Sequence, residues 1–204
     1  MNVKTFSLLL ALGLSTSALA HVVAYSTLPL PKDKKLFSSE MTGDVSDGGG
    51  VGIQGRFVYV PTMVKGNVDA GFGLAGGERS MRFFTGYDYE IFPDYKEQPR
   101  ISLKSMFEWV KEDGEGIKRF SAAPTLSKGF SFWGKEGYPY VSMPVGIALN
   151  GNQSTYQNYA ELAVGISGQL PVAGYSYLLA NVEANISLAN SSSGVRVGVS
   201  YPFN

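Results

Sequence analysis

The chain has 204 residues, no cysteine, 25 glycines, 12 Phe and 12 Tyr, and 17 basic side chains against 17 acidic ones. The length is that of one domain, and charged residues make up only 17% against a typical ~25%. With zero net charge nothing suggests a nucleic-acid partner, which would need a strongly basic face, and without cysteine the fold has to rely on backbone pairing and packing even in an oxidising compartment.

Residues 1–20 read as a signal peptide. Lys4 gives the positive start, Leu8 to Leu14 a short apolar run, and Ala18-Leu19-Ala20 a small-residue cleavage site, so the mature chain is expected to begin at His21 after Ala20. The run is too short to cross a bilayer as a helix. Losing Lys4 leaves 16 basic and 17 acidic groups, a net of −1. Residues 21–35, with Pro29, Pro31, Lys32, Lys34 and Lys35, read as an extended polar leader.

From residue 36 to 204 the chain alternates with period two, which puts successive side chains on opposite faces of a strand. Residues 36–46 set Phe37, Met41 and Val45 against Glu40 and Asp44. Residues 51–61 set Val51, Ile53, Phe57 and Tyr59 against Gln54 and Arg56. Val68, Phe72 and Leu74 oppose Asn67 and Asp69; Met81, Phe83, Tyr87, Tyr89 and Ile91 oppose Arg82, Asp88 and Glu90. Ile101, Leu103, Phe107 and Trp109 oppose Arg100, Lys104 and Glu108. Residues 117–132 are strand-like but alternate poorly, and 138–149 carry Val141, Met143, Val145, Ile147 and Leu149 on one face.

The last fifty residues are the clearest. Leu162, Val164 and Ile166 oppose Glu161 and Ser167; Val182, Ala184, Ile186 and Leu188 oppose Glu183, Asn185 and Ser187. Val195, Val197, Val199, Tyr201 and Phe203 oppose Arg196, Gly198 and Ser200. Turn signals separate the strands, from Ser46-Asp47-Gly48-Gly49-Gly50 to Asn150-Gly151-Asn152. The reading is an all-β, closed, antiparallel up-and-down transmembrane barrel of ten strands. Eight is the alternative, because Pro124, Pro139 and Pro144 belong at bulges or strand ends.

The same pattern fits a soluble lipocalin-like periplasmic barrel that binds an apolar ligand with its greasy face inward. Two features favour the outward orientation. Charges of both signs share the polar parity, namely Glu40, Arg56, Asp69, Arg82, Asp88, Glu90, Lys104, Glu108, Glu161, Glu183 and Arg196, and can offset one another's desolvation inside a bore. Aromatic residues gather near the strand ends, at Tyr59, Phe92, Trp133, Tyr138, Tyr175, Tyr177, Tyr201 and Phe203, as in the girdles of membrane barrels.

The leader, the ~10-residue strands and the terminal Val195-Arg196-Val197-Gly198-Val199-Ser200-Tyr201-Pro202-Phe203 resemble small Gram-negative outer-membrane β-barrels of the OmpA/OmpX/OmpW type. The resemblance implies outer-membrane lipid and the barrel-insertion machinery as partners, both chain ends in the periplasm, and the short turns at 46–50, 76–79, 111–116, 150–154 and 190–194 facing outside. Asn204 after the aromatic and Pro202 inside the strand depart from that group's terminal pattern. The expected role is structural or porin-like passage of very small solutes.

Chemistry-bearing motifs are sparse. His21 is the single histidine, so no Ser–His or Cys–His pair can form and no metal site is expected. The pairs Asp88/Glu90 and Glu161/Glu183 read as interior partners of Arg56, Arg82, Lys104 and Arg196 rather than as acid/base carboxylates. No cofactor and no catalysis are expected.

Overall fold

The structure, a computed structural model, describes residues 30–45, 50–76, 79–112, 114–132, 134–151 and 155–203. The expected signal peptide, its cleavage point at Ala20/His21, most of the leader, and Trp133 lie outside the described residues.

Strand follows strand along the chain: β1 (Lys35–Asp44), β2 (Val51–Tyr59), β3 (Gly66–Ala75), β4 (Arg79–Phe92), β5 (Arg100–Glu112), β6 (Glu115–Ser127), β7 (Phe130–Phe132), β8 (Lys135–Ser142), β9 (Val145–Asn150), β10 (Thr155–Gln169), β11 (Leu179–Ala189) and β12 (Gly194–Phe203). All pairings are antiparallel. The ring closes where β12 pairs with β1, from Lys35↔Phe203 to Asp44↔Gly194.

Twelve segments make ten staves. β9 continues β8 past Met143-Pro144, since both pair with β6 on one side and β10 on the other. β7 continues β6 past Lys128-Gly129 and pairs with β8. The fold is therefore a closed, ten-stranded, antiparallel up-and-down barrel, and the eight-strand alternative falls. Among the described strands closure leaves only the short β7 paired on a single side, with β8.

The three prolines explain the interruptions. Pro124 and Pro139 lie inside strands rather than at their ends, yet each faces a gap in the ladder on one side. The β6 ladder skips 123–124 between its pairings with β9 and β8, and Pro139 faces the 128–129 break between β6 and β7. Pro144 fills the β8–β9 break. A missing N–H costs nothing where no ladder bond is due. Their carbonyls still accept, from Met143, Lys128 and Glu161 respectively.

The described start of the leader is a turn rather than an extended segment. Lys34 N–H donates to Pro31, and Asp33, with φ 63°, donates to the Val60 carbonyl. At the opposite end the β5–β6 turn uses Gly114 at φ +82°, a conformation that costs glycine little.

Alternation decides the inside. Ile53, Ile186 and Val197 are about half exposed or more, at 63%, 49% and 52%, while Arg82, Glu183 and Arg196 are at 0%. The aliphatic parity faces out and the polar parity faces the bore. Glycines make room for the largest inward side chains. A Cβ added at Gly71 would collide with the Phe84 ring, and one at Gly165 would lie 2.5 Å from the Tyr140 ring.

Gly71→Ala is expected to cost ~1–3 kcal/mol through overpacking against Phe84. It should lower the denaturant midpoint without changing the slope. A wild-type midpoint would mean that the ring has room to move.

Candidate functional site

The strand period delivers one inward residue every two positions, so charges far apart in sequence meet across the bore. A continuous path runs round most of it. The Tyr140 hydroxyl donates to Glu183. Arg196 lies 3.2 Å from Glu183 and 2.8 Å from Glu40. Arg56 lies 3.0 Å from Glu40 and 3.7 Å from Asp69, and Lys104 lies 2.6 Å from Asp69. These residues come from β8, β11, β12, β1, β2, β3 and β5.

A branch leaves the path at Gln54, which donates to Glu40 and accepts from Arg82 at 3.3 Å. Arg82 pairs with Glu108 at 2.6 Å and stands 4.9 Å from the Phe84 ring centre. Beyond it Phe84, Met106, Ala123, Tyr140 and Ala163 form an apolar cluster inside the bore. The filling is thus ionic on the β11–β5 side and apolar toward β6 and β10. Side chains fill a narrow barrel at this level, and Arg82, Arg196, Glu183, Ala123 and Ala163 are enclosed there at 0% exposure.

Two smaller clusters flank this waist. Toward the end that carries both termini, Arg100 pairs with Asp88 at 2.8 Å and Glu90 at 3.0 Å and donates to Ser102. Toward the turn end, Glu161 accepts from Asn185 and Ser191. Arg119 pairs with Glu112 at 3.2 Å and lies over the Tyr159 ring.

Of the eleven charges read from the sequence, Glu40, Arg56, Asp69, Arg82, Asp88, Lys104, Glu108, Glu161, Glu183 and Arg196 are buried in the bore. Glu90 is half-buried at its mouth, still on Arg100. The sequence reading puts Arg100 and Gln54 on the polar parity but leaves them out of the charged network, and it misses Arg119 there and Tyr140, Phe84 and Met106 as bore fillers.

The aromatic residues lie toward the terminal end. Tyr175, Tyr177, Tyr201, Phe203 and Phe57 form a chain of ring contacts with centres 6.2–6.4 Å apart. Phe92 is exposed, and Tyr59 is half-buried at the end of β2. Tyr138 departs from the expected girdle. Its register partner is the buried Ser167, so it belongs to the bore side, and its hydroxyl donates to Glu136. Its even position, opposite in parity to Val141 and Met143, agrees with that placement.

One clamp outside the wall is also built from charge. The 93–99 connection is held to the β6–β7 break by Asp94, which accepts from Lys128 and from the Gly129 N–H. Lys128 also donates to the Lys96 carbonyl. Desolvation pushes the Asp94 carboxyl up, but the Lys128 and Gly129 hydrogen bonds and the ammonium charge outweigh it and hold the group below the usual carboxylate value.

Among the described residues no cluster of three or more His, Cys, Asp or Glu is placed to hold a metal ion. No protein-family model matches the chain, and no curated protein matches it. The wall and its filling carry the functional reading.

Two outcomes follow. Arg196→Met removes the guanidinium from Glu183 and leaves Glu40 to Arg56 and Gln54; it is expected to cost ~3–5 kcal/mol, while adding Glu183→Gln restores part of that loss, as read from unfolding curves of the single and double variants. Because the folded Asp94 carboxyl titrates low, its clamp contributes above the unfolded value of about 3.9. The contribution is lost as pH falls through the lower folded value. Amide protection across 94–98, taken relative to the unfolded chain at the same pH, should therefore hold at pH 5 and fall in strong acid, whereas Lys128→Ala lowers it at pH 5 already.

Proposed function

We propose that the protein is an integral outer-membrane β-barrel of a Gram-negative bacterium, with a role in envelope structure and at most a narrow path for very small solutes. The observation that carries this reading is the inverted wall: exposed Phe37, Ile53, Phe72, Ile147, Val182 and Val197 surround a bore packed with paired ions. Water around such a surface would be costly, since large exposed apolar patches on soluble monomers are rare. A bilayer turns the same surface into the stable one.

The wall has the dimensions for it. Ten residues of antiparallel strand rise ~34 Å, and a tilt of about 40° reduces this to ~26 Å, close to the ~25 Å apolar band of membrane barrels. The outward strand positions carry charge only near the rims, at Lys35 and Lys135 on the terminal end and Lys111 and Lys118 on the turn end, counting described side chains. Long lysine stems can reach headgroups from there. The aromatic chain Tyr175–Tyr177–Tyr201–Phe203–Phe57 suits the lipid–water boundary.

A soluble barrel for an apolar ligand needs the aliphatic row turned inward around a greasy cavity. Here that row points away from the bore, and Arg196 and Glu183 occupy the place of the ligand. A catalytic role lacks a base for a nucleophile, since the one histidine is His21. The outer-membrane lipid and the barrel-insertion machinery are the proposed partners.

The lipid-facing reading is tested by Val197→Arg, at mid-height on β12. In a bilayer it should cost ~2–4 kcal/mol; a cost within ~0.5 kcal/mol, usual for a water-exposed position, would overturn the reading. Cell fractionation tests the same point: extraction should require detergent, and release by osmotic shock alone would count against a membrane wall. In planar bilayers the wild-type barrel should conduct very little and Arg196→Ala more; an open wild-type pore would overturn the plugged bore.

A further inference from the structure

The outer wall carries a depression where the rest of it is studded with branched side chains. The register lines up Gly137 of β8, Gly168 of β10 and Ala180 of β11 as neighbours across three strands; the Phe130 ring lies on Gly137, and neither Gly168 nor Ala180 carries more than a methyl group. Phe130 stands over one end, and Ile166 and Val182 rise along one side. Together they enclose a groove of about 470 Å³ whose lining is overwhelmingly apolar. The floor is fixed by packing. A Cβ at Gly168 would lie 2.5 Å from the Glu136 carbonyl, and one at Gly137 would lie 3.1 Å from the Phe130 ring.

Lys135 lines the same groove. It is half-buried, and no described carboxylate pairs with it, in contrast to the buried cations of the bore. Its neighbour Glu136 is engaged by the Tyr138 hydroxyl. An ammonium group at the edge of an apolar slot, on the rim that bears the aromatic rings, is complementary to an anion attached to a hydrocarbon chain.

We propose that this groove is a binding site for one glycerophospholipid, with an acyl chain along Gly168 and Ala180 beside the Phe130 ring and the phosphate on Lys135. The inference rests on the membrane reading of the barrel. It adds to that reading a defined, retained lipid in place of a uniform annulus. The apolar slot supplies most of the affinity through buried hydrocarbon, and Lys135 selects a charged headgroup over a neutral one.

The test uses the full barrel released from detergent in a native mass spectrometer, after incubation with phosphatidylglycerol or with diacylglycerol of the same chains. One phosphatidylglycerol is expected to stay bound to the wild type. Ala180→Phe fills the groove and should abolish retention of both lipids. Ala184→Phe, farther along the same outward row of β11, should retain phosphatidylglycerol as the wild type does. Lys135→Gln should lower phosphatidylglycerol retention by about fivefold and leave diacylglycerol retention unchanged.

No retained lipid, or equal loss with Ala180→Phe and Ala184→Phe, overturns the site. Unchanged phosphatidylglycerol retention with Lys135→Gln overturns the phosphate contact. Insertion of each variant into vesicles is measured alongside. If insertion persists while retention fails, the groove proposal alone is wrong; if the wild type does not insert, the membrane reading fails first.

Discussion

Arg196 stands between Glu183 and Glu40, and through it the last two strands are tied to the first. The β12–β1 ladder closes the barrel, but a ladder alone does not fix what lies inside. Placing a guanidinium at 0% exposure is tolerable only when its charge is matched on more than one side. The two carboxylates come from the strands that flank β12, so the match exists only once the ring has closed. Closure and ion pairing are in this sense one event, and the rest of the bore builds outward from that point.

From Glu40 the pairing passes through Arg56 to Asp69 and Lys104, and through Gln54 to Arg82 and Glu108. The bore nevertheless does not carry charge all the way round. On the β6–β10 side the facing residues are Ala123 and Ala163, and they cluster with Phe84, Met106 and Tyr140. Small residues beside large ones suit close packing in a narrow cylinder. Arg82, with one edge on Glu108 and its face toward the Phe84 ring, joins the two halves. Such stacking suits arginine better than lysine.

The strand count and the orientation of the wall are legible in the sequence because period two survives wherever one face is ionic and the other aliphatic. Val195 to Phe203 is the plainest case. The pattern weakens where the inward parity stops being polar: Phe84, Met106 and Tyr140 look like wall residues in sequence and are bore residues in space. It fails most around 117–138, where Pro124 and Pro139 break the ladder on one side only and so hide a continuous stave. Tyr138 is misplaced for a different reason, its assignment to the girdle from its place near a strand end. Pairing is not legible at all. Glu40 meets Arg196 because the ring closes, a relation between the two ends of the chain that no local window contains.

The two ends of the barrel differ in a way that follows from the same construction. At the turn end the connections 113–114 and 190–193 are short. At the terminal end the connections 60–65, 93–99 and 170–178 are longer, and they are held down. Val60 takes the Asp33 N–H of the incoming chain, and the Asp94–Lys128 clamp pins 93–99 to the β6–β7 break. That break exists because Pro139 leaves no donor there, so the loop's anchor occupies the site where the wall is least well paired. The 93–99 connection thus covers the least regular part of the wall, beside the groove that Phe130 and Lys135 border.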